Sequence, residues 1–249
     1  MFSNTLPPTI EYIKSETAHL LADLGEERLS TTVQFCGPGH RCNRAGYCPY
    51  CKWVRHVKAR KQLSDTLRLR GDTARYITAT IRPSHGDVDL DDLRDSAKSF
   101  ASGSAKRLAS LPGVQGLSLV LESITTVIAG LSVLGFENLH GHLLLAVDPA
   151  RRDFTLDLLH EEADGSELHV SHSSRASYQS AQNWTHYMHK TDPDTFASKY
   201  WLPRLEDGSS FLARAQALTG IHQTKTSGSL KHSAHSVRPT HEPGEATAA

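Results

Sequence analysis

Aromatic residues are scarce in this sequence, and charge of one sign does not dominate it. The 249 residues include 7% aromatic residues, and 27 Lys or Arg balance 27 Asp or Glu, so the formal net charge is zero. That balance excludes a uniformly basic coat of the kind that covers many nucleic-acid-binding proteins. Hydrophobic residues at 38% still permit a packed core, so wholesale disorder is not expected. The length suits one large domain, or a medium domain with an appendage.

Neither a secretory leader nor a membrane span is expected. Residues 1–25 contain Pro7, Glu11 and Lys14 and lack the apolar run of a signal peptide. The longest apolar stretch, from Leu117 to Phe136, includes Glu122. Because a charged side chain at the centre of a bilayer costs about 2.5–3.5 kcal/mol, two strands joined by a turn are the better interpretation. We therefore expect a cytoplasmic protein with no membrane partner.

The zero net charge conceals one basic segment. Between positions 36 and 70, nine Lys or Arg face a single acid, Asp65, which makes this segment +8 and the remainder −8. Such an excess favours contact with DNA phosphates. A solvated helix face is the alternative. The residues expected to contact DNA are Arg41, Arg44, Lys52, Arg55, Lys58, Arg60 and Lys61.

Cysteine is also scarce, and its few copies are clustered. All four lie between positions 36 and 51, which in a reducing compartment favours metal binding over disulfides. Four thiolates are the usual ligands of a structural Zn²⁺. The wide first spacing leaves His40 or His56 as a substitute ligand, and a redox-active pair or unrelated free thiols are further alternatives. The predicted zinc ligands are Cys36, Cys42, Cys48 and Cys51.

Periodicity predicts alternating helices and strands. The predicted helices are Cys51–Arg70, Asp89–Leu111 and Ser173–Lys190, and the predicted strands are Tyr76–Ile81, Gly116–Thr126 and Ser132–Val147. In the first helix the cations face outward, and the inward residues are Trp53, Val57, Leu63 and Leu67. The chain divides into a lead-in at 1–30, a zinc knuckle with a basic helix at 31–71, a main domain at 72–231 and a flexible tail at 232–249.

Two histidines separated by one residue lie on a predicted strand. His140 and His142 point to the same face, because side chains on a strand alternate with a period of two. Glu122 interrupts the preceding apolar strand, where a carboxylate is costly unless it is paired or bound to metal. Two imidazoles and one carboxylate suit Mn²⁺ or Mg²⁺ acting as a Lewis acid. The alternative is that the two histidines are ordinary core or surface residues that bind no metal ion.

A tyrosine and a lysine share one face of the last predicted helix. Tyr187 and Lys190 are three residues apart, and Asn183 lies one turn before the tyrosine. A phenol can attack a polarised phosphate, although its pKa of about 10 requires a neighbouring positive charge or late loss of the proton. A packed amphipathic tyrosine is the alternative.

The order of these motifs resembles the plasmid rolling-circle replication initiators of the His-hydrophobic-His (HUH) endonuclease superfamily. The resemblance covers about residues 36–231: a Cys-Pro-x-Cys knuckle with a basic helix, a Thr-rich strand, a Glu-bearing strand, the His-x-His strand, a Tyr-x-x-Lys helix and a closing segment at 223–231. It implies an α+β fold, with a central antiparallel sheet and helices on its faces, preceded by the zinc knuckle. Residues 72–231 would form the nicking domain.

The resemblance also implies an enzyme that nicks one strand at an origin hairpin or single strand. The implied metal ligands are Glu122, His140 and His142, with Mg²⁺ or Mn²⁺; Tyr187 is the implied nucleophile and Lys190 the supporting cation. No nucleotide-binding Gly-x-x-x-x-Gly-Lys-[Ser/Thr] motif occurs, so a host helicase must unwind the DNA and a host polymerase extend it.

Two positions depart from the family pattern. Gly141 replaces a hydrophobic residue between the histidines, and we expect this glycine to loosen the strand locally without removing a ligand. Asn183 replaces a Glu that, in the family, activates the water that ends the replication cycle. Two other functions remain open: a transposase or relaxase of the same superfamily, and a non-catalytic zinc-dependent DNA-binding regulator.

Overall fold

The computed structural model describes residues 5–84, 86–128, 131–164, 168–202, 205, 208–219, 221 and 224–231. The expected flexible tail at 232–249 lies outside the described residues. The helices are α1 (Pro8–Asp23), α2 (Glu27–Gln34), α3 (Pro49–Arg70), α4 (Leu93–Ala109), α5 (Arg152–Asp164), α6 (Tyr178–His189), α7 (Pro193–Thr195) and α8 (Gly208–Ala217), with a π-helical turn at Phe196–Trp201. The strands are β1 (Arg75–Pro83), β2 (Val88–Asp89), β3 (Val114–Ile128), β4 (Leu131–Val147), β5 (Leu168–Ala176) and β6 (Thr224–Gly228).

The strands form one antiparallel sheet, which confirms the predicted α+β class. Five strands follow the order β5-β1-β4-β3-β6, and β2 pairs with β4 as the sixth strand. The long apolar stretch of the sequence forms the β3–β4 pair at the centre of this sheet. None of the described helices is both long enough and apolar enough to cross a membrane.

Helices cover both faces of the sheet because its central strands are apolar on both sides. On one face Phe100 and Leu108 of α4 pack with Leu119 and Leu143. On the other face residues of α3 and α6, among them Leu67 and Met188, pack with neighbouring strand residues. Burial on both faces explains the near-continuous apolar runs of β3 and β4.

A separate core joins the N-terminal helices to the cysteine segment. Ile13 and Leu21 of α1 pack with the cysteines, with Trp201 of the π-helical turn and with Phe211 of α8. The N-terminal segment, whose docking the sequence left open, is therefore fastened to the rest of the chain by apolar contacts.

Helix α8 is also attached to the sheet by a buried ion pair. Arg214 donates through Nε to Oε1 of Glu137 on β4 at 2.6 Å, and Ser123 of β3 donates to the same carboxylate. Both charged side chains are almost fully buried. No local sequence pattern indicates this pair, because it joins residues 77 positions apart.

Two predicted helices begin too early. Residues 173–176 belong to β5, where Ser173 and Ser174 pair with β1, and α6 starts only after Ser177, whose hydroxyl accepts from the Ser180 amide. A serine cap was expected, but several serines compete for that role and long-range pairing with β1 selects among them. Similarly, Asp89 belongs to β2, which pairs with β4, and α4 begins only at Leu93.

The basic helix is present but turned slightly from the expected orientation. Leu63 and Leu67 are buried, as expected, whereas Trp53 and Val57 are only half-buried and Val54 is buried instead. The Trp53 indole instead donates to the backbone oxygen of Thr191 after α6, so contact with α6 decides the rotation of α3.

Candidate metal centre and tyrosine site

A carboxylate and two imidazoles converge on one face of the sheet. The β3–β4 register places Glu122 opposite His140, and His142 lies two residues further along the same strand. Oε2 of Glu122 is 3.1 Å from Nε2 of His140 and 3.1 Å from Nε2 of His142. The structure thus brings together the three residues expected to bind a metal ion.

The protonation states of this cluster suit metal binding. Burial alone would raise the pKa of Glu122, but contacts from both histidines and the charge of Lys190 hold that pKa well below its usual value. Burial lowers the pKa of His142, against the opposing effect of Glu122. At neutral pH the site therefore presents a carboxylate and a neutral imidazole, which are the forms that bind metals.

The spacing of the ligand atoms fits a small divalent ion. The three ligand atoms all lie within 4.8 Å of one another. Adjacent ligands of an octahedral ion with bonds of 2.0–2.1 Å are roughly 3 Å apart, which is close to the spacing between carboxylate and imidazoles. With three protein ligands, further coordination positions stay open for a substrate oxygen and water.

A residue of the neighbouring strand β1 contacts the edge of the His142 ring that points away from Glu122. Thr80 of β1 is paired with His142, and its Oγ1 lies 3.4 Å from Nδ1, on the ring edge away from Glu122. Such outer contacts orient the imidazoles of metal sites. The alternation of threonines in β1 was visible in the sequence, but only the register between β1 and β4 reveals this contact.

Tyr187 lies beside the carboxylate–histidine cluster. Its ring centroid is 4.9 Å from that of His142, and the ring stacks on Trp184 at 4.9 Å. The Trp184 indole donates to the backbone oxygen of Leu143 at 3.0 Å, which attaches α6 to the sheet. Tyr187 is 53% exposed, so the phenol is accessible to a large substrate. Trp184 was not anticipated from the sequence.

Lys190 connects the tyrosine to the carboxylate. Its ammonium donates to Oε1 of Glu122 and lies 5.5 Å from the centre of the Tyr187 ring. Lys190 adopts a left-handed conformation, with φ of 42°, where α6 ends. From this position at the end of α6, the lysine of the Tyr-x-x-Lys pattern reaches Glu122, one of the three candidate metal ligands.

Protonation of the phenol is favoured in this site. Burial and the negative charge of Glu122 both raise the pKa of Tyr187. Asn183, one turn earlier, is exposed and accepts from Gln179 at 3.2 Å. An amide is no general base, so Asn183 cannot take the phenolic proton.

The four cysteines form a second candidate metal centre. All four sulfurs lie within 4.8 Å of one another, and Cys51 Sγ is 3.5 Å from Cys36 Sγ and 3.6 Å from Cys42 Sγ. A tetrahedral ion with Zn–S bonds of about 2.3 Å separates its sulfurs by about 3.8 Å, whereas a disulfide bond is about 2.05 Å long. The Cys42 amide also donates to Cys36 Sγ at 3.3 Å.

The histidines considered as substitute ligands lie outside this cluster. His40 is exposed in the turn, and Nδ1 of His56 lies 2.6 Å from the backbone oxygen of His189. The spacing between Cys36 and Cys42 is wider than is usual for a pair of zinc ligands. The loop between them folds back on itself, and this brings the two sulfurs together.

The basic residues differ in their exposure. Lys52 is only 7% exposed, contrary to the outward orientation expected for the cations, because the cysteine loop and α8 flank the first turn of α3. Arg60 is half-buried and lies 2.9 Å from Nδ1 of His186 on α6. The remaining cations named for DNA contact are exposed: Arg41, Arg44, Arg55, Lys58 and Lys61.

Comparison with known proteins gives no match to a protein-family model, to a curated protein or to a solved structure. The chemistry of the two sites is therefore the basis for proposing a function.

Proposed function

We propose that this protein initiates rolling-circle replication of a plasmid by nicking one DNA strand through a phosphotyrosine intermediate, as an HUH endonuclease does. The observation that carries the proposal is the convergence of Tyr187 and Lys190 with Glu122, His140 and His142, from three distant parts of the chain. None of these motifs is informative alone. Their meeting in one accessible site is what a tyrosine endonuclease requires.

Glu122, His140 and His142 hold the divalent cation, Mg²⁺ or Mn²⁺, in this proposal. The bound cation supplies Lewis-acid polarisation of the scissile phosphate. Thr80 orients His142, and Lys190 balances the negative charge of Glu122 and of the phosphate as charge develops on it.

Tyr187 is the nucleophile. Its phenolic oxygen bonds to phosphorus as the bond from phosphorus to the 3′-oxygen breaks, and the phenolic proton ends on that 3′-oxygen. The products are a 5′-phosphotyrosine and a free 3′-hydroxyl that primes synthesis by a host polymerase. Asn183 offers no carboxylate to take the phenolic proton, so in this proposal the proton leaves late, as the new bond to phosphorus forms.

The cysteine cluster and the basic segment serve DNA binding in the same proposal. Zn²⁺ on the four cysteines holds the loop at the start of α3, and the exposed cations of this segment contact phosphates of the origin strand. A host helicase unwinds the duplex.

A nicking assay on a supercoiled plasmid carrying its own origin, with Mn²⁺, tests the proposal. We expect the wild type to relax the plasmid and to become covalently attached to the 5′ end, and Tyr187→Phe to lose at least about 10³-fold in rate. Tyr12→Phe is the matched control, because Tyr12 is 56% exposed on α1, outside the tyrosine site, and this variant should nick normally.

The same assay separates the remaining functions. Wild-type protein that binds the origin but never cuts it would be a zinc-dependent regulator, in which the buried ion pair of Glu122 and Lys190 is purely structural. Cutting at the ends of a mobile element or at a transfer origin, rather than at a replication origin, would indicate a transposase or a relaxase.

A further inference from the structure

A cleft lies between the first turns of α3 and helix α8. It has a volume of about 570 Å³, with Arg44, Lys52 and Arg55 on one side and Ala215 and Leu218 on the other. This volume is within the range of about 300–1,000 Å³ found for sites that bind small molecules. The space therefore suits a base with its sugar and phosphate.

The described lining of this cleft is cationic. Three of its side chains carry a positive charge, and none of the described lining residues is Asp or Glu. His56 also lines the cleft, and burial together with the charge of Lys52 holds its pKa well below the usual value. A cleft of this charge attracts anions.

The cleft adjoins the tyrosine site. Thr224, one of the lining residues, pairs with Val120, two residues before Glu122 on β3. The ring of His56, which also lines the cleft, contacts the backbone oxygen of His189, which directly precedes Lys190. Lining residues of the cleft therefore contact both β3, which carries Glu122, and α6, which carries Tyr187.

We propose that the cleft binds one or two unpaired nucleotides of the strand that is nicked, next to the scissile phosphate. Arg44, Lys52 and Arg55 contact the phosphates of these nucleotides, and the half-buried ring of Tyr47 offers a face for base stacking. This inference rests on the proposed function. It states that the nucleotides beside the cleaved phosphate bind in the cleft, rather than anywhere on the basic surface.

The test measures binding of a fluorescein-labelled dT8 oligonucleotide to the full chain carrying Tyr187→Phe, by fluorescence anisotropy. We expect Arg44→Ala with Arg55→Ala to weaken binding about tenfold. The slope of log affinity against log salt should fall by about 1.4, since each phosphate contact on a single strand contributes about 0.7. Ala59→Trp fills the cleft without changing its charge and should also weaken binding about tenfold.

The control is the pair Arg28→Ala with Lys98→Ala, which removes the same charge from exposed positions on α2 and α4 and should change affinity less than twofold. Circular dichroism checks the fold of each variant. Equal affinity of the cleft pair and the control pair would overturn the proposal, even if Ala59→Trp failed to fold.

The nicking assay with Tyr187 intact keeps the two proposals apart. Wild-type nicking that is unaffected by the arginine substitutions would refute the cleft while the proposed function stands. Oligonucleotide binding that depends on the cleft, in a protein that never nicks, would refute the function while the cleft stands.

Discussion

His189 lies on α6 directly before Lys190, on the side of the helix that contacts α3. It is 1% exposed, and neither ring nitrogen has a hydrogen-bond partner among the residues that the structure describes. Burial, followed by the charge of Arg60, lowers its pKa to about 3. The imidazole is therefore neutral at physiological pH, and folding holds it in that form.

His189 should make stability depend on pH. In the unfolded chain the pKa of His189 is about 6.5. As the pH falls below that value, the imidazole binds a proton in the unfolded state but stays neutral in the folded state, so the folded state loses stability. Between pH 6 and pH 4 we expect this residue to cost about 1.4 kcal/mol of unfolding free energy per pH unit. His189→Leu should remove that cost.

Urea denaturation of the wild type and of His189→Leu at several pH values measures this effect. The difference between the two proteins is the relevant quantity, because burial also lowers the pKa of His56 and His142. His172→Leu, at an exposed position, is the control. A difference between wild type and His189→Leu that stays constant from pH 7 to pH 4 would refute the assignment.

At the scale of single elements, strand β4 shows why glycine separates the two histidines. A Cβ at Gly141 would lie 2.6 Å from Cδ1 of Leu119, 3.3 Å from Cγ1 of Ile81 and 3.5 Å from Cε1 of Phe100. On the face of β4 opposite to the two histidines, core side chains thus already fill the space that a side chain at position 141 would need. The expectation that Gly141 loosens the strand stays a prediction, but the packing explains why glycine, rather than a larger residue, lies between the histidines.

Gly141→Val should therefore destabilise the protein, although it restores the hydrophobic residue of the family pattern. We expect a loss of about 1–3 kcal/mol from overpacking, measured by urea denaturation. Gly103→Ala is the contrasting control, since nothing lies within 4 Å of its added Cβ inside α4, and it should stabilise by about 0.5–1 kcal/mol. A Gly141→Val protein as stable as the wild type would contradict this packing argument.

At the scale of the whole molecule, the cysteine cluster belongs to a core different from that of the sheet. The cysteines pack with α1, with Trp201 and with Phe211, whereas the apolar residues of the strands form their own clusters. Loss of the metal ion should therefore affect the N-terminal helices and α8 first.

Zinc removal tests this arrangement. Because structural zinc contributes about 10–16 kcal/mol of binding free energy in small sites, a strong chelator should reduce the helical circular dichroism, change the Trp201 fluorescence and weaken DNA binding. Metal analysis should find one zinc ion per chain in the wild type and little in Cys36→Ser. Unchanged circular dichroism and unchanged DNA affinity after chelation would show that the cysteines do not form a structural zinc site.

The sequence predicted those features that depend on local spacing. Alternation places His140 and His142 on one face of a strand, and helical periodicity places Tyr187 and Lys190 on one face of a helix. Trp184 could not be anticipated, because its role depends on the contact between α6 and the sheet.

Composition and short-range periodicity were enough to predict the individual helices and strands, the cysteine cluster and the chemical character of each candidate ligand, whereas the α+β class was implied by the resemblance of the ordered motifs to a known family. Only the tertiary structure decided that Glu122 faces the histidines, that Lys190 reaches Glu122 and that Lys52 turns into a cleft. Strand register and helix docking arise from packing between residues far apart in the chain, which no local pattern specifies.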